Sequence, residues 1–384
     1  MTRSPRVAII GAGIEGASAA FYLAHKHAVV AELFDPDPYS GASQVAAGML
    51  APVAEAVYGE EGLLEIMLEA ARDWIGLDAT LRDSFGLDCG YRGGGSLLVA
   101  VGPNDAAEVE RTWRFYRKLG LDARIFQKAE LAELEPQLSP DISMGIYAKI
   151  DNQVDNRAAH RSLISASRTL GVTLTNSRVT EISPEHNGWR VQPEIGSARH
   201  FDKVVVAAGV RAGEIEGLPG FVSSVLRPIR GQVIRLAASE IAPAPSLVIR
   251  SLWQGRGIYV VGRKSGEVVI GASAEEVGFD PTRRARTTYE LLRDAFRVLP
   301  GLGEMHLEEI NVGYRPGTPD NAPLLGEIDD GLILDLGHFR HGILLASVTG
   351  KWIADEVVSP GRNQAIKAFD PARFAKSRGG GNVS

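Results

Sequence analysis

The sequence contains very little cysteine, since Cys89 is the single thiol among 384 residues. One cysteine cannot form an internal disulfide framework or supply a multi-cysteine zinc or iron–sulfur site. The chain also lacks an HExxH pattern and a recognisable Ser–His–Asp signature. We therefore expect no metal site, and the scarcity of cysteine is typical of a reducing compartment.

A basic excess is also missing, because 41 Lys and Arg residues stand against 47 Asp and Glu residues, a formal charge of −6. Binding to nucleic-acid phosphates requires a basic stripe or surplus, so nucleic acid is not expected as a partner. No uncharged apolar run reaches the roughly 18–20 residues that a membrane span needs. The composition therefore predicts neither a nucleic-acid-binding nor a membrane-spanning protein.

The first residues are similar to a secretory signal, with Arg3 and Arg6 ahead of an apolar run. However, Glu15 and several glycines interrupt that run after Ile14. We interpret this segment as part of the mature fold and expect a cytoplasmic location.

What the chain does contain is typical of a globular enzyme, with 45% hydrophobic and 23% charged residues. Its 384 residues exceed the roughly 250–300 residues that one hydrophobic core usually spans. We therefore expect two domains.

The strongest local signal is a nucleotide-binding pattern near the start of the chain. An apolar run, residues 6–10, predicts a buried strand and leads into GAGIEG, residues 11–16, and then into an alanine-rich helix pattern. Gly11, Gly13 and Gly16 suit a tight turn, a close approach to a pyrophosphate and close helix packing. A second strand ends on Asp35, 19 residues after Gly16, near the distance of about 20 that places an acid on the ribose. This pattern predicts FAD or NAD rather than NADP.

Small residues crowd the segment GASQVAAGMLAP, residues 41–52. They leave room for a bulky group against the backbone, although taken by themselves they are better explained by a small-residue helix packed on the sheet.

A lone arginine, Arg315, lies in residues 311–326, NVGYRPGTPDNAPLLG. Its glycines and prolines predict mostly turns, which would hold the guanidinium in a rigid surround. We hypothesise that Arg315 is aimed at a ligand, the alternative being a surface arginine or an inter-domain ion pair.

Taken in order, these motifs resemble the D-amino-acid oxidase family of flavoproteins, most closely its glycine-oxidase branch of thiamine biosynthesis. The similarity runs to about residue 358 and is most specific in AAGMLAP (46–52), YRPGTPD (314–320) and HFRHGILLA (338–346). It implies an α/β fold, in which a Rossmann-like FAD-binding domain is interleaved with an antiparallel-sheet α+β substrate domain. The FAD-binding domain would comprise residues 1–85, 150–220 and 310–365, the substrate domain residues 86–149 and 221–309, and the tail residues 366–384, of which 377–384 should be disordered.

The resemblance also implies roles for individual residues. Arg315 and Tyr259 would bind the substrate carboxylate, Arg340 would lie near the carboxylate and the flavin, and Met49 would line the pocket. A guanidinium suits this task because it grips a carboxylate with two parallel hydrogen bonds. The residues implied in FAD binding are Gly11, Gly13, Ile14, Gly16, Asp35, Ser43, Ala46, Ala47, Gly48, Val179, Gly209, Arg340, His341, Gly342 and Ile343. Two residues depart from the family pattern. Some relatives have asparagine at the position of His341, and relatives often have an aromatic residue at the position of Arg211.

The reaction implied is oxidation of glycine or a similarly small amino acid to a 2-oxo acid, ammonia and hydrogen peroxide, with molecular oxygen as the electron acceptor. FAD should be non-covalent, because Cys89 is not at the C-terminal position where sarcosine-oxidase relatives attach flavin. Alternatives are a D-amino-acid, sarcosine or proline oxidase or dehydrogenase, and a flavin- or NAD-binding protein without turnover. A homo-oligomer is usual among relatives.

Overall fold

The computed structural model describes residues 4–253 and 256–375. In chain order its strands are β1 (Val7–Ile10), β2 (Ala31–Phe34), β3 (Met49–Leu50), β4 (Ser96–Ala100), β5 (Arg124–Gln127), β6 (Met144–Ala148), β7 (Asn152–Gln153), β8 (Thr173–Thr175), β9 (Val179–Glu185), β10 (Gly188–Pro193), β11 (Arg199–Phe201), β12 (Lys203–Val206), β13 (Arg227–Ala237), β14 (Val248–Trp253), β15 (Arg256–Gly262), β16 (Glu267–Gly271), β17 (His306–Gly317), β18 (Leu324–Asp329) and β19 (Leu332–Leu336). The α-helices are α1 (Ile14–His27), α2 (Ala42–Val45), α3 (Leu64–Phe85), α4 (Pro103–Lys118), α5 (Lys128–Leu134), α6 (Asn156–Thr169), α7 (Gly220–Val225), α8 (Ala285–Val298), α9 (Gly342–Val358) and α10 (Ala372–Ala375). Short 3-10 helices cover Glu61–Leu63, Gly209–Glu214, Pro300–Glu304 and Ala365–Phe369.

A six-stranded sheet forms the centre of the nucleotide-binding part, in the order β18-β19-β12-β1-β2-β8. Its strands are parallel except for the antiparallel edge pair β18 and β19. Side chains alternate across β1, so Val7 and Ile9 pack with α1, α6 and α9, while Ala8 and Ile10 pack against the sheet β9–β11. Burial on both faces explains why this strand reads as an uninterrupted apolar run.

An eight-stranded sheet forms the other part, in the order β17-β13-β16-β15-β14-β4-β6-β5. It is antiparallel except for the parallel pair β14 and β4. One face packs on α8, and part of the opposite face, with Tyr259, Val233 and Val261, packs on Met49 and Ala47. The predicted α/β fold, with a Rossmann-like sheet and a second antiparallel sheet, is confirmed.

The strands of the six-stranded and eight-stranded sheets alternate in blocks along the chain. Strands of the eight-stranded sheet come from residues 96–148 and 227–317, and they separate strands of the six-stranded sheet. We propose that the two sheets mark two domains.

The prediction that residues 311–326 are mostly turn was wrong. Strand β17 continues to Gly317, past the expected domain boundary at 310, and β18 begins at Leu324. Prolines are tolerated here because β17 is an edge strand and Pro316 faces Pro228, the second residue of β13. The position of Arg315 is therefore set by strand β17 rather than by surrounding turns.

The segment assigned to a tail is partly ordered. Ile366 and Phe369 are buried against the helices of the six-stranded sheet. The stretch 377–384, expected to be disordered, lies outside the described residues. Among the residues that are described, no helix is both long enough and apolar enough to cross a membrane.

Candidate active site

Two glycines where β1 leads into α1 leave no space for a side chain. Gly11 has a φ of +101°, and a Cβ there would lie 2.5 Å from the carbonyl oxygen of Ala207. At Gly16 a Cβ would overlap the carbonyl oxygen of Gly11. These close approaches require glycine, as the nucleotide-binding pattern predicted.

The start of α1 presents backbone N–H groups to oxygen atoms. The N–H of Ile14 donates to Oγ of Ser43 at 2.9 Å, and the N–H of Ala12 donates to Oδ2 of Asp35 at 2.8 Å. A Cβ on Gly13 would come within 3.3 Å of the same Ser43 oxygen. A helix start that already binds side-chain oxygens suits a pyrophosphate, because backbone N–H groups and the helix dipole favour negative charge there.

One cavity of about 740 Å³ extends from the glycine loop between β1 and α1 to the eight-stranded sheet. Its volume lies within the range usual for cofactor sites, roughly 300–1,000 Å³. All the residues predicted from the sequence line it except Gly16, which lies beneath the loop. On the cavity are Gly11, Gly13, Ile14, Asp35, Ser43, Ala46, Ala47, Gly48, Met49, Val179, Gly209, Tyr259, Arg315, Arg340, His341, Gly342 and Ile343.

Arg315 reaches the cavity across a glycine of the neighbouring strand. A Cβ on Gly231 would lie 2.6 Å from Nη1 and 3.0 Å from Cζ of Arg315, so the guanidinium rests directly on that backbone. Nη1 donates a hydrogen bond to the carbonyl oxygen of Ser273 at 3.1 Å. Within the described residues Arg315 has no carboxylate at ion-pair distance. Its charge is therefore available to a ligand.

Tyr259 lies beside Arg315 on β15. Its register partner is Gly271, where a Cβ would overlap the phenol hydroxyl, so the ring lies across the neighbouring strand. Burial raises the pKa of the Tyr259 phenol, and the Arg315 guanidinium opposes this only in part. The hydroxyl therefore keeps its proton at neutral pH and remains a hydrogen-bond donor.

Arg340 is also on the cavity, but its charge is engaged. Nε lies 3.0 Å from Oε2 of Glu55, and Nη2 forms a close ion pair with Glu60. Glu55 also pairs with Arg250, whose Nη1 lies 2.9 Å from Oε1. Burial alone would raise the pKa of Glu55, but Arg250, His341 and Arg340 outweigh it and hold the pKa at about 2. Glu55 is thus a carboxylate at any working pH.

His341 occupies the position just before α9. The residue is buried, and among the described residues its Nε2 has no hydrogen-bond partner. Burial, and after it the neighbouring Arg340, lowers the pKa of His341 to about 4. The imidazole is therefore neutral at pH 7, as suits a helix N-terminus that repels positive charge.

Arg211 and Cys89 each contact an acidic side chain. Arg211, at the cavity rim, pairs with Glu214 at 2.6 Å and covers the ring of Phe279 at 4.8 Å. Cys89 is buried, and its S–H donates to Oδ1 of Asp78 at 3.0 Å. The thiol is not among the residues that line the cavity.

Sequence reasoning missed several residues of the site. Arg250, Glu55 and Glu60 form the ion-pair network beside the cavity, and Gly231 supports the Arg315 guanidinium. No local motif marks them, since Glu55 and Arg340 are 285 positions apart. A weak signal existed only for Gly231, a glycine inside a strand pattern, which often marks a close backbone approach.

Comparison with known proteins places these features in a family context. The family described as DAO, FAD dependent oxidoreductase, matches residues 6–356. The bifunctional protein ThiO/ThiG of Trichormus variabilis is 32% identical over 382 residues, which cover 98% of this chain and 56% of that protein. The chain thus spans about half the length of the first such relatives.

Two further similarities cover nearly complete chains. The glycine oxidase of Geobacillus kaustophilus is 30% identical over 387 residues, or 100% of this chain and 99% of that protein. A crystal structure of glycine oxidase from that organism superposes with a TM-score of 0.84 at 28% identity, covering 98% of this chain and 99% of that one. Iminodiacetate oxidase from Chelativorans sp. BNC1 has a TM-score of 0.85 at 27% identity, covering 95% and 99%.

Proposed function

The chain belongs to the DAO family of FAD-dependent oxidoreductases, and from this membership we propose that it oxidises glycine or another small amino acid. The products would be a 2-oxo acid, ammonia and hydrogen peroxide, with molecular oxygen as the electron acceptor. A glycine oxidase similar over the full chain supports this substrate class.

The single observation that carries the proposal is the unpaired guanidinium of Arg315 on the cavity. Among the described residues it has one hydrogen bond, to the carbonyl oxygen of Ser273, and no carboxylate partner. A buried or half-buried arginine without an anion is costly, so the site favours an anionic ligand. A carboxylate satisfies it with two parallel hydrogen bonds of about 1.5–3 kcal/mol each.

The charges around the cavity favour a ligand with one carboxylate. At the proposed substrate end, Glu55 and Glu60 neutralise Arg250 and Arg340, whereas Arg315 has no carboxylate partner among the described residues. One positive charge is left over, and it is the charge of Arg315. A second carboxylate would have to displace Glu55 or Glu60 from an arginine, so a monocarboxylate such as glycine fits better than a dicarboxylate.

Tyr259 and Met49 complete the proposed substrate end. The Tyr259 phenol keeps its proton, because burial raises its pKa, and so it donates a hydrogen bond to the carboxylate beside Arg315. Met49 packs in the same apolar cluster as Tyr259 and fills the wall of the pocket. Together these groups fix the orientation of the substrate, which is the main contribution a protein makes to a cofactor reaction.

The residues around the glycine loop fit FAD. Gly11 and Gly16 admit no side chain, the start of α1 suits the pyrophosphate, and the start of α9 at Gly342 offers N–H groups to a second anionic region. Bound FAD supplies the two-electron oxidation of the carbon that bears the amine. Cys89 is buried against Asp78, away from the cavity, and this supports a non-covalent cofactor.

A second candidate is oxidation of an N-substituted or larger amino acid. It is favoured by the iminodiacetate oxidase, which is structurally as similar as the glycine oxidase. Oxygen uptake with glycine, sarcosine, D-alanine, D-proline and iminodiacetate separates the candidates. We expect glycine to give the highest kcat/KM; a clear preference for sarcosine or a larger amino acid would favour the second candidate, and one for iminodiacetate would overturn the monocarboxylate proposal.

A flavin-binding protein without turnover is the remaining alternative. Anaerobic addition of glycine should bleach the oxidised flavin if the chain is an oxidoreductase of small amines. An unchanged flavin spectrum with every amine of the panel would contradict the proposal. A cytoplasmic location, a role in thiamine biosynthesis and assembly into a homo-oligomer stay predictions.

A further inference from the structure

Three titratable residues meet in the interior next to the glycine loop, and neither the nucleotide-binding nor the substrate-binding role uses them. Glu15 is the second residue of α1, Asp335 lies in β19, and His338 lies in the loop before α9. They are only 8%, 1% and 3% exposed, respectively. One carboxylate oxygen of each acid and one ring nitrogen of His338 lie within 4.8 Å of one another.

The separations are too long for good hydrogen bonds. Nε2 of His338 lies 3.3 Å from Oδ1 of Asp335 and 3.6 Å from Oε1 of Glu15, whereas N–H···O bonds usually measure about 2.7–3.2 Å. Two ligands on a tetrahedral ion, each bound at about 2.1 Å, are about 3.4 Å apart. The measured separations therefore match the edges of a coordination tetrahedron.

The ligand atoms are also without partners. Among the described residues no hydrogen bond reaches Oε1 of Glu15, either oxygen of Asp335, or Nε2 of His338. Unpartnered polar atoms at this depth are rare, because each one costs its desolvation free energy. Three of these atoms, one from each residue, lie within 4.8 Å of one another, and this indicates a missing ligand.

The charge of the cluster points to a cation. In their ionised forms the two acids carry two negative charges away from water, and a protonated His338 can balance only one of them. A divalent cation neutralises both carboxylates and leaves the imidazole neutral, as metal binding requires.

We propose that Glu15, Asp335 and His338 form a binding site for a divalent metal ion between the starts of α1 and α9. One imidazole with two carboxylates suits zinc, or manganese or iron(II), better than a soft metal or magnesium. The ion would join α1 to the loop before α9, the two elements whose ends face the cofactor cavity.

The surroundings of the site are consistent with metal binding. The hydroxyl of Thr349 lies 2.9 Å from Oε2 of Glu15, so the second carboxylate oxygen is held by an outer-shell contact. Glu15, Asp335 and His338 all line the cavity, which gives an ion a route to the site.

Metal content tests the proposal directly. The FAD-loaded protein is dialysed against EDTA, desalted, exposed to one equivalent of zinc or manganese, gel-filtered and analysed by elemental mass spectrometry. We expect one tightly bound ion per chain and a higher thermal midpoint than for the EDTA-treated protein. A wild-type protein that retains no ion would overturn the proposal, and the cluster would then hold shared protons instead.

Variants identify the ligands. Asp335→Asn should weaken metal binding at least about tenfold and remove the metal-dependent stabilisation. Asp78→Asn is the matched control, since Asp78 is a buried acid on α3 away from the cavity, and it should bind metal like the wild type. Retention of the ion by Asp335→Asn would contradict the assignment.

Should Asp335→Asn fail to fold, X-ray absorption at the zinc edge of the wild-type protein decides the question. One imidazole with oxygen neighbours is expected, whereas several imidazoles or a sulfur neighbour would place the ion elsewhere. Neither measurement depends on turnover, so an inactive oxidase with a bound ion remains distinguishable from a metal-free active one.

Discussion

Substitution of Gly231 by alanine probes the proposed role of Arg315 without touching Arg315 itself. The new Cβ would lie 2.6 Å from Nη1 and 3.0 Å from both Cζ and Nη2. Ordinary contacts of this kind are about 3.5–4.0 Å, so the guanidinium must move by about 1 Å. Gly231 lies in β13 without a positive φ, so alanine introduces no backbone strain.

The magnitude follows from the hydrogen bonds that the shift disturbs. The obstructing atoms belong to the end of a flexible side chain, so Arg315 yields and the strand stays in place. A guanidinium displaced by this distance loses one of two parallel bonds to a carboxylate, or about 1.5–3 kcal/mol. Since about 1.4 kcal/mol is tenfold in affinity, KM for the preferred amino acid should rise about 10- to 100-fold.

The assay is steady-state oxygen uptake with the amino acid that the substrate panel identifies. We expect the flavin absorbance spectrum of Gly231→Ala to match that of the wild type, because only the substrate end of the cavity changes. Gly303→Ala serves as the control, since a Cβ at Gly303 meets no atom within 4 Å.

The reasoning would be refuted if Gly231→Ala and Gly303→Ala both kept the wild-type KM. In that case the guanidinium would not bind the carboxylate from its position over β13. A loss of flavin together with the rise in KM would instead indicate a wider rearrangement of the cavity.

Arg315→Lys, which removes the two-pronged grip, should raise KM at least about tenfold and leave the flavin spectrum intact; an unchanged KM would exclude Arg315 from carboxylate binding. Denaturation in acid should release all flavin into the supernatant, because the single thiol, Cys89, is buried away from the cavity; flavin retained on the pellet would contradict non-covalent binding. Glu55 has a pKa of about 2 instead of its ordinary 4.5, so its pairing with Arg250 and Arg340 contributes about 3 kcal/mol at neutral pH. That contribution is present above the unfolded pKa and is lost as the pH falls toward 2. Acid unfolding should therefore be less steep in Glu55→Gln than in the wild type when followed by circular dichroism, and equal slopes would argue against the ion pairs.

The nucleotide-binding half could be predicted from the sequence because its signals are contiguous. Gly11, Gly13 and Gly16 fall within one strand–turn–helix unit, and Asp35 directly follows the next strand. Buried parallel strands read as apolar runs, and this makes their position along the chain visible without a structure. The resemblance added the substrate residues Tyr259 and Arg315, and their position on one cavity agrees with it.

Local composition predicted secondary structure less reliably where pairing within a sheet determines it. Residues 311–317 have the composition of a turn, but the long pairing with β13 keeps them in a strand. Backbone hydrogen bonds and burial across two strands outweigh the turn preference of the glycines and prolines there. The tertiary partner, rather than the local composition, decided this stretch.

The sequence by itself determined the cofactor loop, the order of the elements and the family, because these depend on residues that are neighbours along the chain. Only the tertiary structure decided which charges are free, since Glu55 and Glu60 neutralise Arg250 and Arg340 and leave Arg315 for a ligand. It alone brought Glu15 to Asp335 and His338. The physical reason is that electrostatic interactions and metal coordination act over a few ångströms in space, and no spacing along the chain encodes contacts between residues some 320 positions apart.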